Sequence, residues 1–456
     1  MDVGSIPKCS RFWGSVKDFL PVAVSAPSDL ETEPTKYPMA KPRSFSKPKR
    51  DFNDPVSPPA HSPAFIPAPP TNNVNLNLPL DIILPGADAK IAQAQAMVFH
   101  AVGDTGGVKG TETQEALAKV MVKQIDDSRA KNQPGEEPLF FYHLGDVIYF
   151  NGMSSDYPVQ FYEPCQNYDA PIVAIAGNHD GDTRTRTGDT PDDESTLYGF
   201  MQNFCSPTAE FLFKHRATMT QPYVYWTLDT PLATIIGLYS NVDGELDAKG
   251  TFEQQHWLAQ QLQAAPTDRA LIVAVHHAPY SLDTSHGGYG DIGTALDRAI
   301  NTTGRTPDLV LSGHVHNYQR FMRKIGDKQV PYVVAGAGGY ADSERALHKV
   351  VKDPATGKPI QTPFATSLPD VTLAFYNDTE AGFLRLKVTK ESIACEYYTI
   401  DFQDNPKGVR DRFTVELGPA GAAAGAPAAA DTPSGASPAA PHSGAHPPGP
   451  RHRPRR

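Results

Sequence analysis

The chain has 456 residues, 39% of them hydrophobic, with 43 prolines and a formal net charge of −10 at pH 7. That charge argues against non-specific binding to nucleic acid or to anionic membranes. No run approaches the roughly 18–20 apolar residues needed to span a bilayer, and the four scattered cysteines form neither a disulfide framework nor a zinc ribbon.

Near the N-terminus, Phe19-Leu-Pro-Val-Ala-Val24 is too short an apolar run for a secretory signal and is interrupted by proline. No signal peptide is read there, so the compartment stays open, cytoplasmic by default with export as the alternative. Residues 1–90 form a Pro-rich segment with little apolar periodicity, expected to be mostly disordered. Its basic cluster, Lys41–Arg50, reads as a solvated patch.

Residues 91–417 alternate strand-like and helix-like patterns. Ala96–Val102 is strand-like, and Thr111-Glu-Thr-Gln114 resembles a capping box ahead of Leu117, Val120, Met121 and Ile125 at helical spacing. Strands follow at Leu139–Tyr142, Pro171–Ala176, Tyr223–Leu228 and Ala233–Tyr239. A helix opens at Thr251, a strand covers Leu271–Val275, a helix Asp291–Ile300 and a strand Leu309–Leu311. The last third is richer in strands: Tyr332–Ala335, Val371–Tyr376, Gly382–Val388 and Ile393–Ile400. This order predicts a layered α/β/β/α sandwich rather than one doubly wound sheet. The Ala/Pro/Gly-rich tail, residues 418–456, contains no Val, Ile, Leu, Met or aromatic residue and is expected to be disordered.

Five apolar runs end in polar, ligand-type residues. The motifs are Gly103-Asp-Thr-Gly106, Gly145-Asp-Val-Ile-Tyr149, Gly177-Asn-His-Asp180, His276-His-Ala-Pro-Tyr280 and Gly313-His-Val-His-Asn-Tyr-Gln-Arg320. Strand C-terminal ends are where open α/β sheets place ligands. Carboxylates and imidazoles gathered there suit iron, zinc or manganese.

On these motifs the chain resembles the calcineurin-like metallophosphoesterase superfamily, and within it the purple acid phosphatases. Most of the superfamily has Asp-x-His in the first motif, whereas Gly106 stands at that histidine position here. Purple acid phosphatases share this glycine and have a tyrosine three residues after the bridging aspartate, the position of Tyr149. The resemblance implies one site of Asp104, Asp146, Tyr149 and His316, holding Fe(III). It implies a second site of bridging Asp146, Asn178, His277 and His314, holding Fe(II), Zn or Mn. His277 is preferred because His277-Ala-Pro279 fits the family's His-x-Pro; His276 at the strand end is the alternative. His179 and His286 would contact the phosphate, His286 donating a proton to the leaving alcohol. Asp180 is read as orienting its neighbours, and Arg320 as a structural salt-bridge partner.

The implied activity is hydrolysis of phosphate monoesters by a metal-bridging hydroxide at a dinuclear centre, on a small phosphorylated substrate. The alternatives are a phosphodiesterase acting on nucleotides or glycerophosphodiesters and a non-catalytic scaffold. Unlike plant-type members, the chain shows no fibronectin-like sandwich pattern ahead of residue 91. Nothing in the sequence sets the oligomeric state.

Overall fold

The computed structural model describes residues 52–56, 64–71, 75–107, 110–183, 194–340, 347–400 and 405–418. Expectations for the first 51 residues and for the tail after residue 418 lie outside these.

Strands run in chain order as β1 (Asn77–Pro79), β2 (Met97–Val102), β3 (Pro138–His143), β4 (Ile172–Ala174) and β5 (Trp226–Asp229). They continue with β6 (Ala233–Leu238), β7 (Ala270–Val275), β8 (Leu309–Ser312), β9 (Tyr318–Ile325) and β10 (Lys328–Ala335). The last are β11 (Phe364–Ala365), β12 (Val371–Asn377), β13 (Ala381–Val388), β14 (Ser392–Ile400) and β15 (Pro406–Glu416). The helices are α1 (Leu80–Ile83), α2 (Ala87–Ala94), α3 (Glu112–Ala130), α4 (Asn178–Gly181), α5 (Tyr198–Phe204), α6 (Glu253–Ala264) and α7 (Gly290–Thr303).

Two mixed sheets result. One has nine strands in the order β1-β5-β6-β7-β8-β10-β9-β12-β11, the other six in the order β15-β14-β13-β2-β3-β4. Strand β7 shows why they stack. Ala270, Ile272 and Ala274 face the core between the sheets, together with Phe99, Tyr142 and Leu384 of the smaller sheet. Leu271, Val273 and Val275 face the opposite way, against Leu258 and Leu262 of α6 and Leu296 of α7. An apolar run buried on both faces is the mark of a central parallel strand, and its period of two sends alternate side chains to each layer. The outer face of the smaller sheet is covered by Leu117, Met121 and Ile125 of α3. The layers are therefore α/β/β/α.

Strands β2, β3 and β4 are parallel, as are β6, β7 and β8, with β10 parallel to β8. Five of their C-terminal ends carry the five motifs.

The structure adds elements before residue 91 and corrects one local expectation. Ordered structure starts before residue 91: β1, α1 and α2 precede it, and Phe52 and Val56 pack against the core under α6 and α7. Scattered apolar residues in a Pro-rich stretch suffice for this because the core supplies the other side. The capping box expected at Thr111 does not form, Thr111 Oγ1 instead bonding Glu115 Oε1 at 2.9 Å; the helix expected from Thr251 is capped by Asp247, which accepts Gln254 N–H at 2.7 Å and Gln255 N–H at 3.0 Å.

Candidate metal centre

The abrupt strand ends have a backbone cause. Asp104 (φ 59°), Asp146 (φ 52°) and His314 (φ 68°) all lie in the left-handed region. Non-glycine residues rarely adopt it, and such strain collects at functional sites. It turns each side chain sharply off its strand into the space between the sheet ends.

Two groups of donor atoms form there. In the first, Tyr149 Oη lies 3.1 Å from Asp104 Oδ1 and 3.2 Å from His316 Nε2, with His316 Nε2 and Asp104 Oδ1 3.5 Å apart. In the second, Asn178 Oδ1 lies 2.9 Å from His314 Nδ1 and 3.1 Å from His276 Nε2, which is 3.3 Å from Asp146 Oδ2. Ligands about 2.1 Å from a shared octahedral ion would be about 3.0 Å from each other, so these spacings fit metal shells.

The two adjacent histidines differ in their contacts. His276, not His277, meets Asp146 and Asn178. His276 Nδ1 donates to Leu144 O at 2.8 Å, which leaves Nε2 for the cluster. His277 Nδ1 is bonded to Ser240 Oγ at 2.7 Å, and its ring lies 4.2 Å from that of His314 between centroids. Position 276 follows the series 270, 272, 274 that faces the smaller sheet.

Gly106 and Tyr149 are coupled by space. A Cβ on Gly106 would stand 2.7 Å from Gln160 Oε1, 2.8 Å from Ile148 Cα and 2.9 Å from Tyr149 Cδ2. No side chain fits at 106 while the tyrosine ring is present.

The electrostatics fit a cation. Burial lifts the Asp104 carboxyl to about 7, with His276 opposing and Asp146 adding. Burial would also raise Asp146, but His276 and His179 outweigh it and hold it below the carboxylate range. His276, despite burial, is drawn up to about 9 by Asp146. Burial lowers His316 to about 3 and His314 well below its ordinary value, so both are neutral imidazoles, the metal-binding form. Burial and the two aspartates push the Tyr149 phenol well above 10, so only a strongly charged ion would turn it into a phenolate ligand. Among the described residues, His316 Nδ1 is buried without a hydrogen-bond partner.

The remaining expected residues surround these groups. His179 donates its backbone N–H to Asp146 Oδ1 at 2.9 Å, and its Nδ1 is tied to Phe150 O at 2.6 Å. The His286 ring centroid is 4.4 Å from that of His314 and 6.0 Å from that of His316. Asp180 accepts N–H groups from Gly177 at 2.8 Å and Val147 at 3.0 Å, bracing two motif loops. Arg320 lies outside the site, in a bidentate pair with Asp411 at 2.7 and 2.9 Å.

Sequence reasoning missed two neighbours. Tyr289 Oη is 2.9 Å from His314 Nε2. His348 stacks on His316 at 4.2 Å and accepts the His316 N–H at 3.3 Å. His348 carries no local motif. Tyr289 could have been sought in the Gly-rich loop that holds His286.

Residues 97–318 match the family described as calcineurin-like phosphoesterase. Tartrate-resistant acid phosphatase type 5 of Rattus norvegicus is 29% identical over 285 residues, 59% of this chain and 81% of that protein. Purple acid phosphatase 22 of Arabidopsis thaliana is 30% identical over 146 residues, 30% of this chain and 32% of that protein, so this chain spans about a third of the plant relative. A solved purple acid phosphatase from yellow lupin (Lupinus luteus) seeds superposes with a TM-score of 0.49 at 19% identity, over 70% of this chain and 54% of its own. Residues 97–318 thus carry a domain similar to the calcineurin-like phosphoesterases, in a chain similar in sequence to the purple and tartrate-resistant acid phosphatases.

Proposed function

We propose that the chain hydrolyses phosphate monoesters at a centre for two metal ions. Asp104, Asp146, Tyr149 and His316 would hold the first; Asp146, shared, with Asn178, His276 and His314 would hold the second. A phenolate is a hard anionic ligand, which favours Fe(III) in the first site, with Fe(II), Zn or Mn in the second. Bound together, such ions would lower the pKa of a water to near neutrality and neutralise phosphate oxygens.

The chain's own residues do the rest. Asp180 and the His179 backbone hold the Asp146 loop in place. His179, anchored through Nδ1, keeps Nε2 for a phosphate oxygen. His286 is the proton donor to the leaving alkoxide. Burial holds its pKa below the ordinary value.

The observation that carries this reading is the packing of Tyr149 into the space that a histidine at 106 would need. The test compares turnover of p-nitrophenyl phosphate and bis(p-nitrophenyl) phosphate by the metal-loaded protein and by Asp146→Ala. Preference for the monoester, lost in the variant, is the expected result. Preference for the diester would move the assignment to a phosphodiesterase, and near-normal turnover by Asp146→Ala would refute the mechanism.

A further inference from the structure

Among the described residues the His286 side chain makes no hydrogen bond; its ring packs on His314 and His348, 4.4 and 4.8 Å away between centroids. The loop that carries it is held by its backbone: Asp283, fully buried, accepts N–H groups from Ser285 at 2.8 Å, His286 at 3.0 Å and Gly287 at 2.6 Å. One side of the loop is fastened to residues 349–351, through Thr284 N–H to Lys349 O and Val351 N–H to Leu282 O, both 2.8 Å. The other side is covered by residues 52–56, from the segment whose sequence reads as a disordered spacer.

These residues touch the loop on both flanks of His286. Pro55 is buried and its carbonyl accepts Ser281 N–H at 2.9 Å. A Cβ on Gly288 would lie 1.9 Å from the same carbonyl oxygen, and one on Gly290 3.7 Å from Val56 Cβ. The segment is itself secured. Phe52 packs on Phe364 with centroids 5.9 Å apart, Ser367 N–H donates to Asn53 O at 2.8 Å, and Asp54 accepts Val56 N–H at 3.0 Å. A second stretch of the same segment reaches the rear of the site. Asn241 bonds both the N–H and the C=O of Ile66, at 2.9 and 2.6 Å, next to the Ser240 that holds His277.

We propose that residues 52–56 are a strap that fixes the His286 loop, with Phe52, Pro55 and Val56 as positioning residues for proton delivery to the leaving group. The kinetic part rests on the phosphatase reading above; the positioning part does not. The strap is covalently part of the chain, so it removes loop freedom without a partner. Misplacing a catalytic group by about 1 Å costs on the order of 100-fold in rate. A proton donor matters most when the departing alkoxide is a poor leaving group.

The test uses full-length Phe52→Ser/Val56→Ser, with Phe52→Leu/Val56→Ile as the conservative control. Hydrogen exchange of the amides at 281–290 is expected to speed up by tenfold or more in the serine variant, with those of β7 unchanged. Turnover of an alkyl phosphate should fall by tenfold or more, that of p-nitrophenyl phosphate by much less, and metal content should stay the same. The conservative variant should restore both readouts. Unchanged exchange at 281–290, or equal acceleration in β7, would overturn the strap, as would equal losses on both substrates. If wild-type protein turns over neither ester, the phosphatase reading fails while the exchange data still decide on the strap. Should the double variant not fold, Phe52→Ala is read by the same criteria.

Discussion

Replacing Gly106 by alanine tests the coupling between position 106 and Tyr149 most sharply. The added methyl meets three atoms inside 3.0 Å, and none can retreat easily. Ile148 Cα is backbone. Gln160 is engaged twice, accepting Tyr149 N–H at 2.9 Å and donating to Tyr149 O at 2.6 Å. Tyr149 is 1% exposed and closed in by Tyr340 at 4.4 Å and His179 at 4.5 Å between ring centroids. Overpacking of this kind costs about 1–3 kcal/mol. If Gln160 yields instead, the buried Tyr149 amide groups lose their partners at about 1–3 kcal/mol. The expected loss is therefore about 2 kcal/mol in denaturant unfolding at constant slope. A displaced Tyr149 should also weaken the metal site by about 10–100-fold, the usual effect of disturbing groups that orient ligands. Metal titration followed by visible absorbance reads this. An alanine variant with unchanged midpoint and unchanged affinity would refute the reasoning.

Three further outcomes follow from the same coordinates. His276→Ala should lose metal from the second site while His277→Ala keeps two ions per chain; metal analysis showing the reverse would restore His277 as ligand. Arg320→Ala should destabilise by about 1–3 kcal/mol, because it leaves the buried Asp411 carboxylate with only the Tyr318 hydroxyl as a partner, yet leave metal content unchanged; metal loss in a folded variant would give Arg320 a role in the site. The third concerns acid. His100, buried between Tyr168 and Gln124, is lowered from 6.5 to about 3, chiefly by burial. Its unfolded form therefore binds a proton below pH 6.5 that the folded form refuses until about pH 3. Stability should fall as pH drops through that window, by about 2 kcal/mol at pH 5. In His100→Gln the melting temperature should vary less with pH between 6.5 and 4.5, and an unchanged slope would exclude His100 as a source.

The parts of the fold legible in the sequence are those where local pattern and burial agree. The central strands, such as Leu271–Val275, read correctly because both faces are apolar, and the motifs read correctly because each ends such a run. Strand β9 was hidden by its polar content, although the Gly326–Asp327 pair between β9 and β10 is a two-residue hairpin signal. Strand β15 alternates charged residues toward solvent and buries Asp411, which no apolar count detects. Residues 52–56 could not be placed from sequence, because what orders them is a core built from distant residues. The preference for His276 over His277 is different: the strand's period of two points to it, once the side facing the second sheet is known. His348 lay beyond reach, since only tertiary packing brings it to His316.

The proposed metal centre has Tyr149 as a ligand. Metal analysis and a visible absorption spectrum of purified wild-type protein and of Tyr149→Phe test it together. The account predicts about two ions per chain, as a bridged two-metal site needs, with a purple tyrosinate-to-iron band in the wild type and a folded but colourless variant. Colour retained in Tyr149→Phe would contradict the ligand assignment, and protein that takes up no metal after reconstitution would contradict the centre itself.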